Sequence, residues 1–365
     1  MKKILFLLLL APAYLLAQQK KQEIKNIIII TSDGLRWQEI FKGMDKDIAN
    51  NGKFNQGRGD SAEIYSNYWA DGAEERRKKL MPFLWNTVVA KGQLYGNREK
   101  GNNVNVANPY WFSYPGYNEI LTGYPDPAVN ANEYKANPNV TVLEYINNQP
   151  AFKNKVAAFG AWEAFDRIIN EERSGIPVVS SFDSIGGKHP TAKELLLNAM
   201  LRDSYKPFGT SECMDVFTHY AAMEYLKEKK PRVLYIAYGE TDEWAHAGRY
   251  KDYLDAAKNV DTWIGDIWNY IQSDPVYKDK TAILITSDHG RGDAIKEQWT
   301  GHGSRVEGSN ELWFAVIGAG IPAKGEVSTS IQLYQKQFAQ TIASLLGLVY
   351  KGNHPIADAI TEIKK

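Results

Sequence analysis

The stretch Ile24–Thr31 (IKNIIIIT) carries an unbroken run of isoleucines. β-Branched side chains are stiff at χ1 and suit extended backbone. With no polar residue alternating among the apolar ones, such a strand has to be buried on both faces. Three later runs obey the same rule: Arg232–Tyr238 (RVLYIAY), Thr281–Ser287 (TAILITS) and Leu312–Ile317 (LWFAVI). Between them lie helical patterns. The longest, Tyr250–Ile271, sets Tyr253, Ala257, Val260, Ile264, Ile267 and Ile271 along one face. Strands alternating with helices predict an α/β fold, with a mostly parallel central sheet and helices on both of its faces.

The chain has 365 residues, 44% of them hydrophobic, enough for a large core. Its formal net charge of +0 offers no electrostatic footprint for a nucleic acid polymer or an anionic membrane surface. Lys2 and Lys3, the apolar run Ile4–Leu10 and a small-residue position at Ala17 read as a secretory signal peptide over residues 1–17. Cleavage there leaves no membrane anchor, and a periplasmic or secreted protein is expected. The one cysteine, Cys213, sits in a helical pattern with Met214, Val216 and Phe217, where a buried thiol is expected. Residues 43–79 are polar and read as a surface excursion. Lys79–Lys91 reads as a helix and Gly92–Arg98 as a short strand. From 124 to about 207 the pattern loosens into short pieces rich in Asn, Pro and Gly, which reads as a cap inserted on the sheet.

Three of the buried strands end alike. Asp33 follows IIIITS, Asp242 follows VLYIAYGET, and Asp288 follows AILITS with His289 directly after it. Ligands of open parallel sheets bind beyond the carboxyl ends of the strands, so three carboxylates and an imidazole are expected on one rim. His246 lies one helical turn after Asp242 in DEWAH, a spacing that turns both side chains toward one point. His302 lies between Gly301 and Gly303. Six Asp and His residues are a donor set suited to two zinc ions.

The segment Val106–Gly123 (VANPYWFSYPGYNEILTG) places Ser113 where an aromatic loop becomes a helix, with Pro115 in the first turn. A hydroxyl there faces unpaired N–H groups and the positive end of the helix dipole. The segment alone is compatible with an ordinary Ser N-cap or with a nucleophile.

The motifs Ser32-Asp33-Gly34, the Ser113 helix ending Leu121-Thr122-Gly123, Asp242-x-x-x-His246, Ser287-Asp288-His289-Gly290 and Gly301-His302-Gly303 resemble those of the alkaline phosphatase superfamily. The likeness is greatest to its nucleotide pyrophosphatase/phosphodiesterase-like and phosphoglyceromutase-like branches, and covers about Lys25 to Leu346. The resemblance implies an alkaline phosphatase-like catalytic domain over 18–365. It implies one zinc on Asp33, Asp288, His289 and the Ser113 oxygen, and a second on Asp242, His246 and His302. Ser113 would be the nucleophile and would form a phosphoseryl intermediate on a small-molecule phosphate ester. Tyr114 and Trp162 stand where relatives grip a base or aryl leaving group. The Asn that holds a phosphoryl oxygen in relatives corresponds to Asn130 or Asn132, with Asn118 as the alternative. Arg291, next after Asp288-His289-Gly290, is a further candidate phosphate contact. The phosphodiesterase branch often carries Asn-His after its turn, where this chain has Gly116, Tyr117 and Asn118. A phosphodiesterase or nucleotide pyrophosphatase is the expected activity, with a phosphomonoesterase as the alternative. A sulfatase fits less well, because Tyr117 stands where its S-x-P motif wants Arg and histidines suit zinc better than calcium. A binding protein on the same fold would not need the full ligand set.

Overall fold

Strand β1 (Asn26–Ser32) is buried at all seven positions, and its alternation sets the layering of the molecule. Ile28 and Ile30 point into one apolar core, and Ile27 and Ile29 into the other. A computed structural model of the chain describes residues 23–55 and 59–365. The expected leader, residues 1–17, lies outside the described residues. The remaining strands are β2 (Gly92–Tyr95), β3 (Asn102–Asn105), β4 (Val156–Gly160), β5 (Val178–Ser180), β6 (Val233–Tyr238), β7 (Thr281–Thr286), β8 (Glu311–Leu312), β9 (Phe314–Gly318), β10 (Gly325–Glu326) and β11 (Ile331–Tyr334).

Eight strands form the central sheet in the order β10-β2-β9-β7-β1-β6-β4-β5. β1 lies between β6 and β7 and is parallel to both. β9 runs antiparallel to β7 and β2. β11, β3 and β8 make a separate small sheet. One core is closed by the helices Asp215–Lys229 and Tyr250–Ser273, the other by Ser113–Thr122, Val142–Asn147 and Phe338–Leu345. The α/β architecture with a mostly parallel, doubly covered sheet is as the strand runs predict. Among the described residues, no helix is long and apolar enough to cross a membrane.

Two stretches differ from their sequence reading. Residues 124–207 are not wholly a cap, since β4 and β5 within them complete one side of the central sheet. The apolar piece Val156–Phe159 reads as a short strand, but nothing local to it or to β5 assigns either to the central sheet. The rest of the stretch is loops and helices, the longest being the Ala192–Asp203 helix. The polar stretch 43–79 carries three helices, Lys46–Ala49, Asp60–Tyr68 and Ala73–Leu80. Each buries isolated residues such as Ile48, Ile64, Tyr68 and Leu80, too sparse to form a periodic pattern. Cys213 is buried, as expected.

Within the long helix, Asp261 is 1% exposed. Its carboxyl accepts from the backbone N–H groups of Phe83 at 2.8 Å and Leu84 at 2.7 Å, at the start of the π-helical turn Leu84–Val88. Burial pushes this carboxyl up to about 6, against the pull of those two N–H groups. The unfolded chain therefore releases the proton first, near 3.8, while the fold holds it until about 6. This group's contribution to stability is full below 3.8 and is lost as pH rises through about 6. The non-titrating Asp261→Asn variant is expected to lack that part of the slope, and urea denaturation of both proteins across the window checks it.

Candidate active site

Because β6, β1 and β7 are adjacent and parallel, their carboxyl ends open on the same rim. Asp33 leaves the end of β1. Asp242 and His246 lie on the helix Glu240–His246 that follows β6. Asp288 and His289 follow β7. The side chains expected to converge do so. His289 Nε2 lies 3.2 Å from Asp33 Oδ1, 3.4 Å from Asp288 Oδ2 and 3.8 Å from Asp242 Oδ1. His246 Nε2 lies 3.0 Å from Asp242 Oδ2 and 2.9 Å from His302 Nε2. The His289 and His302 rings stack with centroids 4.0 Å apart. Donor atoms of Asp242, His246 and His302 fall within 4.8 Å of one another, as do those of Asp33, Asp242 and His289. Asp242 thus reaches both groups, which its expected assignment to the second alone did not anticipate.

Ser113 Oγ stands 3.3 Å from His289 Nε2. Ser113 is the first residue of its helix, and Phe112 holds the N-cap position without a side-chain cap. The hydroxyl therefore does not serve as the N-cap and faces the Asp/His cluster. The helix reaches the β7 end because Gly116 has no side chain. A Cβ there would lie 2.5 Å from the Asp288 carbonyl oxygen.

The cluster carries the marks of a cation site. Among the described residues, Asp33 Oδ1 and Asp288 Oδ2 are buried with the His289 imidazole as their one polar neighbour at 3.2 and 3.4 Å, and His302 Nδ1 is buried without a hydrogen-bond partner. With its Nδ1 3.0 Å from the Gly290 carbonyl, His289 donates there and turns Nε2 toward three carboxylates, to be filled by a proton or by a cation. Burial and the charge of Asp242 push Asp33 above the usual carboxylate range. Burial and the charge of Asp33 push Asp288 well above it. Asp242 goes the other way: against the burial penalty, the Arg291 guanidinium, His246 and His302 hold it well below. Against its own burial, His289 is raised to about 9 by Asp288 and Asp33. Like-charged groups packed this closely want positive charge between them.

The expected substrate contacts divide. Trp162 and Asn132 line a cleft of about 300 Å³ over the cluster. Asn132 Oδ1 also accepts from the Tyr114 backbone N–H at 3.1 Å. Asn130 is exposed and lies away from the cleft lining. Tyr114 is fully buried, with its hydroxyl on the Lys135 carbonyl at 2.8 Å. Asn118 is fully buried, donating to Tyr124 and accepting from Asn137 and Asn139. Arg291 is fully buried and donates to the carboxylate and the carbonyl of Asp242. None of the last three lines the cleft, and of them Arg291 alone bonds a residue of the cluster.

Three residues escaped the sequence reading. Tyr117, at the position where relatives differ, donates its hydroxyl to Asp33 Oδ2 at 2.9 Å. Arg167 lines the cleft, and its Nε has no hydrogen-bond partner among the described residues. Glu119, fully buried on the Ser113 helix, accepts from the backbone N–H groups of Ala107, Asn108 and Lys336, and from the Asn108 side chain. Asn108 Oδ1 in turn accepts from Tyr110 and Trp111, so one carboxylate fastens the loop that leads into Ser113. A single Glu within an apolar helix pattern, followed by Ile120 and Leu121, carries no signal for this in sequence. Glu119→Gln puts an NH2 group against donors and is expected to destabilise the fold by about 2–4 kcal/mol, since buried groups left unpaired cost about 1–3 kcal/mol each. Chemical denaturation checks the size.

Residues 44–301 match the family model for type I phosphodiesterase / nucleotide pyrophosphatase. No curated protein matches the sequence. Among solved structures, the chain is similar to the alkaline phosphatase PafA, at 10% identity and TM-score 0.62, over 94% of this chain and 99% of that one. It is similar to a 2-O GAG sulfatase at 13% identity and TM-score 0.59, over 94% and 74%. It is also similar to an alkaline phosphatase superfamily protein from Vibrio parahaemolyticus at 13% identity and TM-score 0.52, over 90% and 68%. At these identities the solved structures speak for the fold. The family model covers more than half of the chain, and together with the rim of Asp and His residues it leads to one conclusion: the chain belongs to the type I phosphodiesterase / nucleotide pyrophosphatase family.

Proposed function

We propose that this protein is an exported, zinc-dependent phosphodiesterase that works through a phosphoseryl intermediate on Ser113. The observation that carries the reading is the approach of Ser113 Oγ to 3.3 Å from His289 Nε2, inside a cluster where two buried carboxylate oxygens have that imidazole as their one polar neighbour. Asp33, Asp288 and His289 would hold one zinc, and Asp242, His246 and His302 the other, with Asp242 near enough to serve both. Mixed nitrogen and oxygen donors favour zinc over the all-oxygen sets of calcium or magnesium. Bound there, the cations would lower the pKa of the serine hydroxyl and neutralise charge developing on the phosphoryl and leaving oxygens.

The chain's own groups account for the rest. The helix N-terminus at Ser113 aims backbone N–H groups at the incoming phosphoryl oxygens. Ser113 Oγ attacks phosphorus in line and the alcohol leaves. Water then cleaves the Ser–O–P ester and releases the phosphate monoester. Tyr117 and Arg291 keep Asp33 and Asp242 in position. Arg167, facing the cleft, suits a phosphoryl oxygen. The charge of the cleft favours a diester. Glu133, Glu163 and Glu243 line it with Arg167, and they oppose a dianionic monoester more than a monoanionic diester.

Export is part of the proposal: removal of residues 1–17 would leave 18–365 as one catalytic unit. Mass spectrometry of the secreted or periplasmic protein is expected to find Gln18 as its first residue.

An aryl methyl phosphodiester is expected to turn over faster than the aryl monoester. Ser113→Ala is expected to lose about a thousandfold or more in kcat, the scale seen when a nucleophile is removed, while elemental analysis finds its zinc at or near the wild-type level. Equal turnover by wild type and Ser113→Ala would falsify the nucleophile assignment. Prolonged chelation is expected to abolish activity and lower Tm. Zinc held at a hundred times its Kd contributes about 2.7 kcal/mol to the folded state, and calorimetry with and without chelator reads this.

A further inference from the structure

We propose that the helix Ala192–Asp203 docks this protein onto a lipid bilayer surface that carries anionic headgroups. None of the helix's residues lines the catalytic cleft, and the proposal does not depend on the reaction carried out there.

The helix is apolar on the side where a surface helix is ordinarily polar. Glu194, Leu197, Asn198 and Leu201 recur at helical spacing and make its inner face, each of them buried or half-buried. Two of these four are polar, and both are satisfied. The Glu194 carboxylate accepts from the Thr191 N–H at 2.7 Å and closes a capping box. The Asn198 amide accepts from the Ile185 N–H at 2.9 Å and donates to the Ile185 carbonyl at 3.0 Å. The outer face carries Leu195, Leu196 and Met200, which are 56%, 62% and 52% exposed. Tyr205, two residues beyond the helix, is 85% exposed. A single apolar side chain in water is ordinary, whereas a set of neighbours on one face marks a surface that something covers. The inner face already has its contacts, so the helix does not need to turn over to bury these leucines within its own fold.

Charge decides what the cover is. The chain as a whole is neutral, and the stretch around this helix departs from that. Lys188, Lys193, Arg202 and Lys206 are all exposed, against Glu194, which is buried, and Asp203. Lys193 pairs with Glu224 of the neighbouring helix at 3.1 Å, and Arg202 with Asp203 at 2.9 Å. Lys188 and Lys206 have no acidic partner among the described residues, and they stand beyond opposite ends of the helix. Lys206 lies over the Phe182 ring, 4.2 Å from its centroid. A second copy laid antiparallel along this face would bring Lys188 of one against Lys206 of the other, like charge on like. An anionic lipid surface meets both lysines with opposite charge, while the leucines and Met200 enter the boundary between headgroups and acyl chains. At 12 residues the helix is too short to span a bilayer, so it lies in the plane of the surface.

Co-sedimentation of the purified protein with two kinds of vesicle tests this, one of phosphatidylcholine alone and one of phosphatidylcholine with phosphatidylglycerol in a two-to-one ratio. The wild type is expected to sediment with the anionic vesicles at low salt, to come off them as salt is raised, and to leave the neutral vesicles largely unbound. The double variant Leu196→Glu/Met200→Glu is expected to bind the anionic vesicles about tenfold or more weakly, the scale of denying two half-exposed apolar side chains their burial. Both positions are exposed, and near-UV circular dichroism checks that the fold is kept. A second variant, Lys188→Gln/Lys206→Gln, is expected to bind more weakly as well and to lose much of the salt dependence, so the test stands even where the first variant does not fold. Failure of the wild type to sediment with the anionic vesicles overturns the proposal, and that measurement needs no variant. Equal binding to the two kinds of vesicle overturns it too, as does binding that either folded variant keeps in full. A wild-type dimer in sedimentation velocity that Leu196→Glu/Met200→Glu lacks, with no vesicle binding, gives the face to a second copy and likewise overturns it.

Discussion

Three carboxylates at the ends of three adjacent parallel strands repel one another, and the upper edge of the molecule is arranged around that repulsion. Parallel pairing puts the ends of β6, β1 and β7 side by side, and neighbouring strands are only about 4.8 Å apart. Asp33, Asp242 and Asp288 are all less than 10% exposed, so water does little to screen them. Positive charge has to come from within. Some of it comes from Arg291, which is fully buried against Asp242, and some from the histidines. The carboxylate oxygens left to share one imidazole are the reason a cation site is the natural reading of this edge.

The second tier of contacts is as informative as the first. Gly34 N–H donates to Asp288 Oδ1 at 3.1 Å, and the Thr241 hydroxyl donates to the Asp33 carbonyl at 2.5 Å. Ser32 and Thr241 share a hydrogen bond at 2.9 Å. Each joins residues far apart in the chain, so the rim is fixed by the sheet and not by a flexible loop. A site built this way stays preorganised at the expense of stability, because it crowds like charges where an apolar cap would be more favourable.

Much of this was legible from residue order. The isoleucine run gave a doubly buried strand, and the Asp after each of three such runs gave the rim. These signals are local, since strand period and strand end are both written within about ten residues. What escaped depends on contacts across the chain. Arg291, three residues after Asp288, reads as a phosphate contact until its guanidinium is seen against Asp242. Asn118 and Tyr114 likewise read as cleft residues, but the turn of the helix sends them into the core. Glu119, Tyr117 and Arg167 have no motif at all. The short strand at Val156–Phe159 was legible, but its pairing with β6 and with β5, which puts both in the central sheet, is a contact across the chain.

The region past the family match deserves a last consequence. Gln335 donates from Nε2 to the carbonyls of Ser287 and Asp288, at 3.3 and 2.8 Å, and Lys336 N–H donates to Glu119. The short turn that carries them therefore ties the end of β7 to the helix that begins at Ser113. A fragment ended at residue 301 would keep nearly every residue with assigned chemistry, yet two carbonyls and the buried Glu119 carboxylate would each lose one donor. The homologous span and the smallest working span of this polypeptide are thus different lengths, and the tail acts as a keystone for parts it never touches in sequence.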